Sequence, residues 1–134
     1  MHPRAEQRIR EFALATDGID LVPAMSYLDM VASLDACKCV VTDSGGVQEE
    51  TTALGVPCFT VRNTTERPIT IEEGTNTLVR DVAALPAMVR TARRVLEVRP
   101  PEGWDGMAGE RVVDALAMRE RRRICSARSS ACVV

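Results

Sequence analysis

Apolar positions along this chain fall into two kinds of pattern, short β-branched runs and stretches with a period near 3.6, and the switch between them is most abrupt across residues 40–50. Cys39, Val40 and Val41 form an apolar run of the kind that fills a strand buried on both faces. Ser44-Gly45-Gly46 follows, permitting backbone angles and close approaches that residues with a Cβ resist. From Gly46 a helical period takes over. Val47, Glu50, Thr51 and Leu54 stand at i, i+3, i+4 and i+7, and Gly55 and Pro57 close the helix. Glu50 is thereby expected on the inward stripe.

The same pattern predicts the remaining elements. Residues 4–15 suit a helix with Ala5, Ile9, Phe12 and Ala13 on one side, stopped by Asp17-Gly18. Ile19 to Val22 reads as a short strand ended by Pro23, and Ser26 caps a helix through Leu34 carrying Tyr27, Met30, Val31 and Leu34. Lys38 to Thr42, Pro57 to Val61 and Asn76 to Val79 read as strands, with one helical turn at Ile69 to Glu73. Leu85, Met88, Val89, Ala92 and Val95 mark one further helix, and Ala108, Val112, Ala115 and Leu116 another, with Pro100-Pro101-Glu102-Gly103 as linker. Beyond Leu116 the period dissolves, which predicts a fraying helix end and a basic, disordered tail over 118–134. Helices alternating with short apolar strands make the chain α/β with a mostly parallel sheet.

A strand, a glycine turn and a helix in succession aim free backbone N–H groups and the positive end of a helix dipole at the crevice above the strand. An anion suits that place. Ser44 adds a hydroxyl donor, and Glu50, about one turn in, is an acceptor matched to sugar hydroxyls. On local features alone the turn is equally well a plain strand-to-helix connection with Glu50 at a solvated helix start. Gly-x-Gly-x-x-Gly and the lysine of the P-loop pattern are both absent, so two common phosphate loops are excluded. The polar loop Arg62-Asn63-Thr64-Thr65-Glu66-Arg67-Pro68 leaves the end of a buried strand, where α/β proteins place ligand contacts.

Composition adds bounds rather than direction. The 134 residues supply one domain and one core, and with 3% aromatic residues the packing is aliphatic. A net charge of −2 gives no support to nucleic-acid binding; the one dense basic cluster, Arg119, Arg121, Arg122 and Arg123, reads as a solvated face. No stretch approaches the roughly 20 apolar residues that span a bilayer, so no membrane partner is expected. Cys37, Cys39, Cys58, Cys125 and Cys132 show neither metal-ligand spacing nor a paired framework, and no signal peptide precedes them. We expect no metal, no cofactor and a reducing cytoplasm, with the first three thiols in the core and the last two in an exposed tail.

Several motifs, taken together, resemble the bacterial UDP-N-acetylglucosamine 2-epimerases: Thr-Asp-Ser-Gly-Gly-Val-Gln-Glu-Glu at 42–50, Gly-Val-Pro at 55–57, Arg-Asn-Thr-Thr-Glu-Arg-Pro at 62–68 and Gly-Thr-Asn at 74–76. Weaker similarity, through His2-Pro3-Arg4 and Tyr27-Leu28-Asp29 on one side and Asp105-Gly106 and Glu110-Arg111 on the other, extends the resemblance over about residues 2–117. It implies two Rossmann-like domains facing a cleft, with UDP held chiefly by the second. It also implies elimination of UDP across C1 and C2 to a glycal, then readdition with the proton returned to the opposite face of C2. Carried over by motif, Ser44, Gly45 and Gly46 match the diphosphate turn, Glu50 the ribose carboxylate and Arg67 the guanidinium at the diphosphate. Where similar enzymes place a glutamine and an aromatic near the uracil, this chain has Met25 and Met30, which keep a packing surface but remove a hydrogen bond and a stacking face.

The resemblance further implies a partial, doubly wound parallel sheet within residues 1–117, the first domain and its catalytic groups lying in a longer parent protein that is a homodimer. Met1 before His-Pro-Arg reads as an internal methionine. His2 matches a His-Pro pair that in some relatives lies near a regulatory nucleotide-sugar site; by itself a lone terminal His is a surface residue. In the strand order 3-2-1-4-5-6, Ile19 to Val22 would be the third strand and Lys38 to Thr42 the fourth, with the central pair missing. We therefore expect those two to pair directly, giving a sheet of three or four strands. Two other readings remain at this stage: a two-domain UDP-sugar glycosyltransferase, against which Arg67 argues, and a non-catalytic nucleotide-binding module.

Overall fold

A computed structural model describes residues 3–95 and 97–130. The readings of Met1, His2 and Cys132, and that of the Cys125 side chain, lie outside the described residues. Helix α1 (Pro3–Glu11) and helix α2 (Tyr27–Ala36) precede strand β1 (Val40–Thr42), helix α3 (Gly45–Leu54) and strand β2 (Cys58–Thr60). A single turn of helix, α4 (Ile69–Glu72), leads to strand β3 (Asn76–Leu78), and helices α5 (Leu85–Thr91) and α6 (Ala108–Ser130) complete the chain. The strands form one parallel sheet in the order β1-β2-β3, with Val40 opposite Cys58 and Cys58 opposite Asn76. This is the expected α/β architecture, with three adjacent parallel strands in chain order.

Side-chain alternation along β2 divides the interior into two unlike halves. Phe59 points to one face and meets Val79 and Ala92, with Cys39, Leu85, Met88 and Val89 packed around them. Cys58 and Thr60 point to the other face, towards α3 and α4. That second half is mostly polar: Gln48, Thr51, Thr52, Thr60, Thr70 and Asn76 are all buried. Helix α3 ends at Gly55, whose φ of 68° is the left-handed geometry of a C-terminal cap and whose N–H reaches the last carbonyls, including that of Thr51. Arg94 then crosses to the Asp35 carboxylate at the end of α2 and to the Leu54 carbonyl at the end of α3, fastening the two helices together.

Three expectations need correction. Ile19 to Val22 is not a strand and is not part of the β1-β2-β3 sheet, and Ile19, Leu21 and Val22 stay 61%, 46% and 45% exposed. A strand exists only through a neighbour, and the free edge of β1, where Val41 is 45% exposed, is left open. The helix marked by Leu85 to Val95 stops at Thr91, because the backbone turns at Ala92 (ψ 134°) and Val95 N–H instead reaches the carbonyl of Gly55. At the other end, α6 continues to Ser130, past Leu116 where the apolar period is lost; its side chains from Arg111 to Arg123 are exposed throughout, so no packed face is needed to set its period.

Among the described residues no helix is long and apolar enough to cross a membrane. The Gly55 cap yields a direct test. A methyl group there meets Val98 and forces a left-handed residue with a Cβ, so Gly55→Ala should lower unfolding stability by about 1–2 kcal/mol, read from the urea midpoint.

Candidate functional site

The turn after β1 forms as its residues dictate. Ser44 is extended (φ −83°, ψ 127°) and its N–H donates to Thr42 Oγ1 at 3.0 Å, while its own hydroxyl makes no capping bond to the helix. The first helical bond of α3 runs from Gln48 N–H to Ser44 O, so the N–H groups of Gly45, Gly46 and Val47 precede the ladder and are free of it. The helix begins at Gly45, one residue earlier than its apolar period implies.

Above this end of α3 lies Arg67. A Cβ placed on Gly45 would stand 3.0 Å from both Cζ and Nη1 of that guanidinium, so the glycine is what lets it lie against the helix backbone. A cation over the positive end of a helix is electrostatically unfavourable by itself. Two carboxylates moderate it: Glu49 Oε1 is 3.2 Å from Arg67 Nε, and Glu66 Oε2 is 4.0 Å from Nη1. The Glu49 contact is close in distance but misaligned, and Nε makes no hydrogen bond among the described residues. We regard it as an ion pair that leaves the donor directions of the fork unused. Arg62 chelates Glu66 through Nη1 and Nη2, each at 3.1 Å. The Glu66 carboxyl titrates below the usual carboxylate range, first because of a backbone hydrogen bond and then because of Arg62.

Behind Arg67 lies a set of buried amide and hydroxyl groups with one consistent order of donors. Thr60 Oγ1 donates to Asn76 Oδ1 at 2.6 Å, and Asn76 Nδ2 donates to Gln48 Oε1 and Thr70 Oγ1, each at 3.1 Å. Thr65 Oγ1 donates to Gln48 Oε1 at 2.6 Å and accepts from Arg67 N–H at 3.0 Å. Thr70 Oγ1 donates to Arg67 O at 2.8 Å. Both backbone polar groups of Arg67 thus end in this network.

Of the residues singled out in the sequence, Ser44, Gly45, Gly46 and Arg67 come together at one end of α3. Glu50 lies one turn further, half-buried on the flank rather than on the buried stripe, which Gln48, Thr51 and Thr52 occupy. Apolar period alone misassigns it because this helix packs through polar side chains. Met25 and Met30 keep 43% and 37% of their surface exposed, and Met25 Sδ accepts a long hydrogen bond (3.6 Å) from Ser33 on α2 instead of facing Arg67. Sequence reasoning missed Gln48, Glu49, Thr65, Thr70 and Asn76. The signal for them was the polar residue in phase with Thr51 and Thr52 along α3. A hollow of about 410 Å³ between α1 and residues 21–23 offers no comparable chemistry, since its charged groups, Glu6 and Arg10, already pair with each other.

A parallel sheet with this turn at the carboxyl end of a strand defines an open-sheet α/β protein whose crevice lies beyond those strand ends. The chain belongs to the UDP-N-acetylglucosamine 2-epimerase family, whose model matches residues 1–117. It is 37% identical over 126 residues to the UDP-N-acetylglucosamine 2-epimerase of Methanocaldococcus jannaschii, covering 87% of this chain and 33% of that protein. The Yersinia pestis enzyme of the same name is 31% identical over 124 residues, again covering 87% of this chain and 33% of that one. A crystal structure of the Methanocaldococcus jannaschii enzyme in complex with UDP-GlcNAc and UDP superposes with a TM-score of 0.71 at 37% identity, covering 87% of this chain and 34% of that chain. The chain therefore spans about a third of the length of the relatives it matches.

Two measurements check the site's scaffold. Asn76→Ala removes three buried hydrogen bonds and should cost about 1–3 kcal/mol in denaturant unfolding, the penalty for buried groups left without partners. Burial pushes the Cys58 thiol up from its usual pKa, so native-state alkylation at neutral pH should spare Cys58 and label it only after unfolding.

Proposed function

We propose that this chain is the UDP-binding part of a UDP-N-acetylglucosamine 2-epimerase, with the diphosphate seated between the N-terminus of α3 and Arg67. One observation carries the proposal: Arg67 lies against Gly45 at the positive end of α3, and its Nε makes no hydrogen bond among the described residues. Two positive features converge there, and a diphosphate is the group that would reconcile them. Glu50, about one turn along the helix, then offers its carboxylate to the ribose hydroxyls, and the family motif assigns Met25 and Met30 to the uracil side. Family membership and the neighbour's complex with UDP-GlcNAc and UDP support the same ligand class.

In the parent protein, UDP leaves as the C1–O bond breaks and the C2 proton is taken by a group outside this chain. The free N–H groups of Gly45, Gly46 and Val47 and the Arg67 fork stabilise the negative charge that develops on the departing diphosphate. Readdition returns UDP to C1 and a proton to the opposite face of C2, exchanging the gluco and manno isomers. The role proposed for residues 1–134 is to bind the UDP moiety, with proton transfer assigned to other parts of the longer relatives. On family resemblance the parent is a homodimer, and the free thiols Cys37, Cys39 and Cys58 suit a reducing compartment such as the cytoplasm.

Calorimetric titration of the chain with UDP tests the seat. Arg67→Lys forfeits the bidentate fork and should weaken UDP binding by about 1.5–3 kcal/mol, with Glu50→Gln costing less. Unchanged affinity in Arg67→Lys would remove that residue from the site. For the activity, a protein extended to the length of its relatives should form the manno epimer from UDP-N-acetylglucosamine without an acceptor; acceptor-dependent release of UDP would instead identify a glycosyltransferase.

A further inference from the structure

Most of the buried polar chemistry in this molecule has no place in the scheme above. Gln48 and Thr70 are fully buried, Asn76 is 4% exposed, and none of them is aimed at open solvent. Nor do they hold the sheet: the β1-β2-β3 ladder is complete through backbone bonds. Their hydrogen bonds link the middle strand to the backbone of a single loop residue along two branches, one through Thr70 to the Arg67 carbonyl and one through Gln48 Oε1, which accepts from both Asn76 and Thr65. Thr60 on β2 and Asn76 on β3 fix the amide of Gln48 on α3. Gln48 Oε1 accepts from Thr65, whose oxygen takes the Arg67 N–H; Asn76 donates to Thr70, which donates to the Arg67 carbonyl.

We propose that Gln48 and Thr65 are positioning residues for the Arg67 guanidinium, with Asn76 and Thr70 as their supports. The need follows from electrostatics. Arg67 is held at an unfavourable place, over the positive end of α3, where its side chain pairs with two carboxylates at 3.2 and 4.0 Å. A half-exposed arginine side chain has many rotamers available. What limits them is a backbone clamped at both N–H and C=O and a glycine that admits the fork. A diphosphate then meets a guanidinium already in place, and less binding energy is lost in ordering it. This rests on the proposed function only in naming the diphosphate; the clamp is a property of the ligand-free chain.

Thr65 is the variant of choice, since it is only partly buried and links the network to Arg67 directly. Thr65→Val keeps the shape and deletes the hydroxyl; Thr65→Ser restores the hydroxyl and deletes the methyl group. The readouts, on the full 134-residue chain, are the thermal midpoint, the ¹⁵N-resolved Nε–H signal of Arg67 without ligand, and affinity for UDP and for uridine. We expect the Arg67 signal to be sharp in the wild type and in Thr65→Ser and averaged out in Thr65→Val, with the midpoint close to wild type in both. UDP affinity in Thr65→Val should fall on the order of tenfold, the equivalent of about one hydrogen bond to a charged group, while uridine affinity holds. An unchanged Arg67 signal in Thr65→Val, or its loss in Thr65→Ser as well, overturns the positioning role. If the signal behaves as expected and the wild-type chain does not bind UDP, the clamp stands and the diphosphate assignment falls.

Discussion

The side-chain amide of Gln48 is the joint on which this structure depends. It is fully buried, it sits in the first turns of α3, and its oxygen receives hydrogen bonds from two other parts of the chain, the polar loop and β3. The two donors to its oxygen hold the loop and the strand to a narrow set of positions relative to the helix, while its Nε2 makes no hydrogen bond among the described residues. The apolar core under α5 is small: Phe59, Val79 and Ala92 with their neighbours. On the face that carries the candidate site, order comes from hydrogen bonds more than from apolar packing.

This division of labour suits a site that receives a charged ligand. Apolar packing tolerates sliding of one element over another, whereas a hydrogen-bond network with a single donor order does not. The loop that leaves β2 has no apolar anchor, yet its Arg67 is fixed at both backbone groups. The same loop carries the Arg62–Glu66 pair on its exposed side, so charges there are matched locally and Arg67 is left as the cation over α3.

Relatives of this chain are about three times as long. Large apolar side chains stand open on the segment after α1, with Phe12 63% and Ile19 61% exposed, and along α6, where Leu116 is 60% exposed. The outer edge of β1 is likewise unpaired. The buried residues lie mainly on the three strands and on α3 and α4, with Leu34 of α2 and Ala92 at the end of α5, and the candidate site is built on the α3 side.

The sequence by itself determined the βα turn at 40–55, the identity of the three strands within a residue or two, and the grouping of Ser44, Gly45, Gly46 and Arg67 in one family of motifs. These are local matters: glycine geometry, a β-branched run and a capped helical period act over a few residues and leave a mark in their order. Tertiary structure alone decided the rest. Ile19 to Val22 has a strand's composition but lies outside the sheet, and strand pairing is not a property of one segment. Glu50 gave up the inward stripe to Gln48 because the partners of that face, Thr65 and Asn76, arrive from 17 and 28 residues away, and an amide becomes a core residue only when such partners are delivered to it.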